Sequence, residues 1–170
     1  MNNILLTGRP RIGKTTVIKK VVQQLHRYAG FYTQEIKEGK TRVGFRLVTF
    51  DSKTCILSHK RIKSQYRVGK YRVNRDCIER LGVAAIEQGI AKKYTVIIDE
   101  IGKMELFSGT FKKAVIRALI SDAPVLGTIL QRSHPFCDTI RKRDDVTIIE
   151  VTEENRDSLP VAIRTMWDHL

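Results

Sequence analysis

The chain of 170 residues carries 31 Lys and Arg against 18 Asp and Glu, a formal net charge of +13, with 42% apolar and 29% charged residues. Such a length suits one domain able to bury roughly 70% of its unfolded surface, and the balance excludes a disordered chain. No run approaches the roughly 18 uncharged apolar residues of a membrane span, and the opening MNNILLTG turns polar too early for a secretory leader.

Asn3–Thr7 (NILLT) is a short apolar run closed by Gly8, which predicts a buried strand. Val17, Ile18, Val21, Val22 and Leu25 then recur at helical spacing and predict a helix from about residue 14 to 26. After Gly30, the run FYTQEI, a turn at Glu38-Gly39-Lys40 and the run RVGFRLVTF predict a hairpin, with CILSHKRI as a third strand. Residues 77–88 read as a helix with Ile78, Leu81, Ala85 and Ile86 on its apolar side, although Gly82 weakens the pattern. YTVII (94–98) predicts a buried parallel strand. Residues 108–120 predict a helix capped by Ser108, with Phe111, Val115, Ala118 and Leu119 on one face. Residues 124–130 and 146–151 predict strands, and 134–142 and 155–170 helices. The order predicts one α/β domain over residues 1–170, a three-layer sandwich about a mostly parallel sheet, with a β-hairpin excursion at about 31–75.

The positive charge is uneven. Residues 37–75 hold twelve Lys and Arg against Glu38 and Asp51, whereas residues 76–170 hold thirteen against fifteen acids. A field confined to one segment attracts polyanions, such as nucleotide phosphates or nucleic acid, or serves as a solvated face. Cys55, Cys77 and Cys137 are odd in number, widely separated and without a C-x-x-C pair. That argues against a disulfide scaffold or a clustered zinc site and predicts three inert thiols in a reducing cytoplasm.

Gly8-Arg9-Pro10-Arg11-Ile12-Gly13-Lys14-Thr15 fits G-x-x-x-x-G-K-[ST] between a predicted strand and a predicted helix. Glycines let such a loop wrap until its N–H groups converge on a β-phosphate, and the helix that follows aims its positive end at the same place. Lys14 adds a charge over the β- and γ-phosphates, and the Thr15 hydroxyl is placed to ligate Mg²⁺. Thr16 follows as a further nucleotide contact. A loop of this kind needs a carboxylate at the end of a neighbouring strand, and Val96-Ile97-Ile98-Asp99-Glu100 supplies one. Asp99 is the candidate for the Mg²⁺ shell and Glu100 for orienting or deprotonating water. Beyond them, Gly102 permits a tight backbone, Lys103 could reach a γ-phosphate, and Thr128, Gln131 and Arg132 occupy the edge from which a phosphate sensor could come.

GRPRIGKTT, then GFYTQEI with RVGF downstream, then VGKYRVN, then VIIDEIGKMEL follow one another over most of the chain, to about Asn155-Arg156. In this order and spacing they resemble the small P-loop family of cancer-related nucleoside triphosphatases. The resemblance implies a RecA-like P-loop fold and Mg²⁺-dependent release of phosphate from ATP, GTP and other nucleoside triphosphates with loose base selectivity. It also implies nucleotide contacts from Gly8 to Thr15 and along Val96, Ile97, Ile98, Asp99, Glu100, Ile101, Gly102 and Lys103. Two positions depart from the family pattern, which usually has Gly where Arg11 and Arg72 stand. Gly tolerates positive φ and Arg does not, so the loop is expected to take an altered shape or gain a phosphate contact.

The reading is a hydrolase in which Lys14 and Mg²⁺ neutralise phosphate charge and Glu100 positions water. No arginine finger is obvious; Arg42, Arg46, Arg72 and Arg75 are candidates in cis, and a partner could supply one in trans. Two alternatives stay open: a small-molecule kinase with residues 37–75 as a lid, and a P-loop nucleic-acid-binding ATPase using the basic segment with Phe45, Phe50, Tyr66 and Tyr71. The sequence leaves the oligomeric state undetermined.

Overall fold

The computed structural model describes residues 3–168. Its strands are β1 (Asn3–Thr7), β2 (Tyr28–Glu38), β3 (Thr41–Thr49), β4 (Thr54–His59), β5 (Arg67–Val68), β6 (Tyr71–Val73), β7 (Thr95–Ile101), β8 (Val125–Ile129) and β9 (Val146–Glu150). All join one sheet in the order β5-β6-β4-β3-β2-β7-β8-β1-β9. From β2 to β9 the pairings are parallel, and from β2 to β5 they are antiparallel. The β-rich excursion is therefore an extension of the sheet's edge.

Burial explains the parallel half. β1, the first part of β7 and β8 are mostly apolar, with Leu5, Leu6, Ile97, Ile98 and Val125 fully enclosed, because helices cover both faces. On one face lie α1 (Lys14–Val22) and α6 (Leu159–Asp168), burying Val17, Ile18, Val21 and Ile163 against Ile4 and Leu126. On the other lies a helical run of α2 (Arg75–Cys77), a π-helical stretch Ile78–Val83 and α3 (Ala84–Lys92), followed by α4 (Gly109–Ile120). They enclose Phe31, Leu47, Ile86, Phe111 and Val115. The short α5 (Pro135–Arg141) starts at His134, whose Nδ1 accepts the Phe136 amide at 3.2 Å.

Several boundaries move for identifiable reasons. α1 stops at Val22, since the Gln24 and Leu25 amides bond only three residues back and tighten the chain before β2. The helical run begins two residues early, because the Asn74 side chain accepts the Cys77 amide at 3.3 Å. Gly82 belongs inside it: a Cβ there would sit 3.3 Å from Leu47 Cδ1, so the glycine lets the helix lie close on the sheet. Ser108 caps α4 as expected, accepting the Phe111 amide at 3.0 Å. The last helix begins at Leu159, four residues late, because Asn155 turns the chain first, accepting the Thr152 amide and donating to the Glu150 carbonyl, both at 2.8 Å. The final two positions of the predicted 155–170 helix lie outside the described residues.

The cysteine expectation is corrected. Cys55 on β4 and Cys77 on α2 form a disulfide, 22 residues apart in sequence, and only Cys137 stays a free, buried thiol. Spacing along the chain could not show that α2 folds back over β4. With the pair bonded, cysteine usage no longer argues for a reducing compartment. Among the described residues no helix is long and apolar enough to cross a membrane.

Candidate active site

The 8–15 loop joins the end of β1 to α1 and is held from below. Gly8 takes φ 138°, and a Cβ there would lie 2.9 Å from the Val151 carbonyl oxygen, so both its angle and its neighbour require glycine. Gly13 precedes α1 in a left-handed conformation. Arg11 does so too, at φ 64°, which is where the family pattern expects glycine. Its guanidinium reaches Glu35 at 3.5 Å. The ammonium of Lys14 donates to the carbonyls of Gly8 at 2.8 Å and Arg9 at 2.9 Å, so it lies across the loop with a third proton to spare. The first amides of α1 have no partner within the helix and face the same space.

The acidic pair meets the loop through a bulge. β7 does not end before Asp99; it runs to Ile101, and the pairing with β8 shifts between Ile98 and Ile101. Asp99 and Glu100 together oppose Thr128 alone, so the alternation of faces is broken where the acids lie and both carboxylates serve one site. Thr15 Oγ1 donates to Asp99 Oδ2 at 2.7 Å, and Thr128 Oγ1 to Asp99 Oδ1 at 2.7 Å. Burial pushes the Asp99 carboxyl above its usual range, and these two hydroxyls and Lys14 pull it back. Glu100 is raised first by burial and then by the Asp99 charge beside it, with Lys14 opposing. Lys14 is lowered by burial, against the pull of Glu100 and Asp99. Behind them Glu105 is buried and its carboxyl is raised well above its usual range, by burial and then by the Glu100 charge.

Two cavities meet here. One, of about 500 Å³, is bordered by Lys14, Thr15, Thr16, Asp99 and Glu100 on the loop side and by Thr33, Glu35, Arg42 and Phe45 from the hairpin. The other, of about 430 Å³, is bordered by Gly8, Pro10, Lys14, Glu100, Lys103, Gln131 and Arg132. Lys14, Glu100 and Pro10 belong to both. The hairpin residues Thr33 and Glu35 were not among the sequence candidates, and Phe45 was considered only for stacking on nucleic acid; the inward alternation of β2 and β3 is the signal that could have placed all three here.

Other candidates fall outside the cavities. Val96, Ile97, Ile98 and Ile101 are wholly buried in the sheet, and Ile12 packs into the core between α1 and β1. Their side chains are enclosed and border neither cavity, so a contact with nucleotide at these positions would have to come from the backbone. Arg9 is exposed and pairs with Glu153. Thr128 anchors Asp99 and does not border the cavities. Of the four arginines considered as fingers, Arg42 alone borders the loop cavity. It donates to Glu35 Oε1 and to the Tyr71 hydroxyl, both at 2.9 Å, and stacks over Phe45 with its guanidinium 5.0 Å from the ring centre. Arg46 and Arg72 face solvent elsewhere on the sheet, and Arg75 packs on Tyr66.

Gly102 is where the backbone holds Glu100 in place. A Cβ on Gly102 would fall 2.2 Å from Glu100 Oε1, so alanine there must displace the carboxylate, a flexible side-chain end, while the fold survives. Gly102→Ala is therefore expected to leave nucleotide affinity within about threefold and to lower turnover by about 10²-fold, as roughly 1 Å of misplacement does. Single-turnover phosphate release beside equilibrium nucleotide binding checks the split.

A glycine-rich loop opening a helix, a basic side chain over it, and an acid on a parallel strand bonded to the loop threonine define a P-loop α/β protein. The profile of the family described as NTPase matches residues 3–164, and the chain belongs to that family. The nucleoside-triphosphatase THEP1 of Thermotoga maritima is 46% identical over 156 residues, covering 92% of this chain and 90% of that protein. A mouse cancer-related nucleoside-triphosphatase homolog is 40% identical over 92% of each chain. Among solved structures, THEP1 from Aquifex aeolicus superposes with a TM-score of 0.89 at 37% identity, covering 96% of this chain and 98% of that one. A human cancer-related nucleoside triphosphatase superposes at 0.82 with 34% identity, covering 98% and 97%.

Proposed function

We propose that the protein hydrolyses nucleoside triphosphates to diphosphate and phosphate, with Mg²⁺ and without strong choice of base. The observation that carries this reading is the 2.7 Å contact between Thr15 and Asp99, which sets a hydroxyl and a carboxylate together between Lys14 and Glu100. Both are hard oxygen donors in the small number that Mg²⁺ takes from protein when phosphates and water complete its shell. Bound there, the ion would neutralise charge on the β- and γ-phosphates. The loop amides and Lys14 hold the triphosphate by its anionic tail, which every nucleotide shares. Thr128 keeps the Asp99 carboxylate aimed at Thr15. Glu100 lies where both cavities meet and accepts the proton of the attacking water. The names of the similar proteins specify triphosphate hydrolysis and no particular base.

Arg42 supplies the cation in cis. It is held by Glu35 at the rim of the loop cavity, on the side of Thr15 and Asp99, and a γ-phosphate offers it a better acceptor. Arg42→Ala is expected to lower kcat by about 10³-fold or more, from the lower end of what such a group contributes upward, with a smaller change in KM. A loss under tenfold removes Arg42 from this role.

The direct test is phosphate release from ATP, GTP, CTP and UTP with Mg²⁺ and with EDTA. Release that is undiminished in EDTA refutes the metal assignment, and release from one nucleotide alone refutes loose selectivity. The cavity bordered by Lys103, Gln131 and Arg132 could admit an acceptor hydroxyl, so the same reactions run with candidate alcohols test phosphoryl transfer as the second reading.

A further inference from the structure

The antiparallel half of the sheet has one covered and one open face. The helical run from α2 to α3 packs against β2, β3 and β4 on the side of Phe31, Leu47 and Val73. On the reverse side α1 and α6 cover the parallel half, and Lys19 of α1 lies over the ring of Tyr32 on β2 at 4.2 Å. The reverse side of β3 to β6 presents Arg46 and Ile56 in one cross-strand row and His59, Arg72 and Arg67 in the next, and Ile56 is 43% exposed.

The cations on this face lack acids. Arg67 and Arg72 stand directly opposite each other on β5 and β6, an arrangement that opposes pairing. Arg72 donates to the Ser64 carbonyl and Arg67 to the Gly69 carbonyl, which leaves most of the guanidinium donors of each free. Among the described residues, Arg46, Arg67 and Arg72 have no ion-pair partner, and the two acids of the segment are engaged elsewhere, Glu38 with Arg61 at 2.9 Å and Asp51 with Lys53 at 3.1 Å. Three interstrand steps, about 14 Å in all, separate β5 from β3, so the cations form a band across the strands.

We infer that this open sheet face is a nucleic-acid-binding surface that grips the phosphate backbone through Arg46, Arg67 and Arg72. A repeated anion satisfies the band, whereas a single phosphate would leave two of the three arginines unmatched. The three guanidiniums match backbone phosphates, so binding is expected to depend little on sequence. It lies on the opposite side of the sheet from Glu35, Phe45 and Tyr71, and binding does not depend on the hydrolase reading.

The test uses fluorescence anisotropy with a labelled 20-mer of oligo(U), a 20-mer of oligo(dT) and a 20-bp DNA duplex, without nucleotide. Three phosphate contacts on a single strand predict about a 20-fold loss of affinity between 50 and 200 mM KCl. The triple variant Arg46→Gln, Arg67→Gln, Arg72→Gln is expected to bind at least tenfold more weakly at 50 mM while keeping its melting temperature and nucleotide hydrolysis. The triple variant Lys20→Gln, Lys113→Gln, Lys142→Gln changes the charge equally and is expected to bind within twofold of the parent. The duplex arm separates single-strand from double-strand preference, both within the proposal. Absence of binding at 50 mM KCl, an equal loss in the two triple variants, or tighter capture by vesicles containing 30% phosphatidylserine or by inorganic polyphosphate overturns it.

Discussion

Replacing Lys14 by alanine is expected to weaken nucleotide binding by at least about 100-fold, or roughly 2.7 kcal/mol. The ammonium is half-buried and borders both cavities, so it meets the triphosphate away from bulk water, where one lost charge partner costs about 2–5 kcal/mol. It is also a cation close to Asp99 and Glu100, and its removal leaves two carboxylates facing incoming phosphates unopposed. Both effects act on the ground state, so affinity falls before chemistry is considered. Titration calorimetry with a slowly hydrolysed ATP analogue measures it. Affinity within tenfold of the parent would place the triphosphate elsewhere.

Replacing Glu100 by glutamine is expected to do the reverse: affinity within about threefold, and turnover lower by about 10²–10⁴-fold, the usual contribution of a positioned proton acceptor. The amide fills the same volume over Gly102 and can still hold a water, but it cannot take its proton. Removing a carboxylate near the phosphates even favours binding slightly. A Glu100→Gln protein that turned over at the parent's rate would sink the role given to this side chain and leave Asp99 and Lys14 untouched. The two variants together separate holding the triphosphate from attacking it.

The effect of Arg42 shows where sequence reasoning reaches its limit. Four arginines of the basic segment were equivalent on paper, because each lies in or beside a β-prone run and none has a distinguishing neighbour. What separates them is the pleat and the bulges of β3 and β4. Those put Arg42 with Glu35 and Phe45 on the loop side, and Arg46 and Arg72 on the open face. A shift of one residue in register exchanges the two groups.

The bulge in β7 has the same character. The run YTVII followed by two acids reads correctly as a strand with carboxylates near its end. That both acids oppose Thr128, and that Asp99 is bonded from two sides, depends on pairing with β8, which enters the sheet between β1 and β7. The disulfide escaped for a related reason, since the strand and turn between two cysteines 22 positions apart fold back on themselves to bring Cys55 to Cys77.

Local chemistry alone was enough for the loop from Gly8 to Thr15, the strand before it, the start of the helix after it, the cap at Ser108 and the acidic end of β7. Each depends on residues within a few positions of one another, where backbone preference, burial period and hydrogen-bonding groups act directly. Tertiary structure decided the rest: that Thr15 and Asp99, 84 residues apart, lie in contact, which arginine borders the loop cavity, and which face of the sheet stays open. Those outcomes depend on strand order and register, which are set by the packing of whole layers and leave no mark at any single position in the chain.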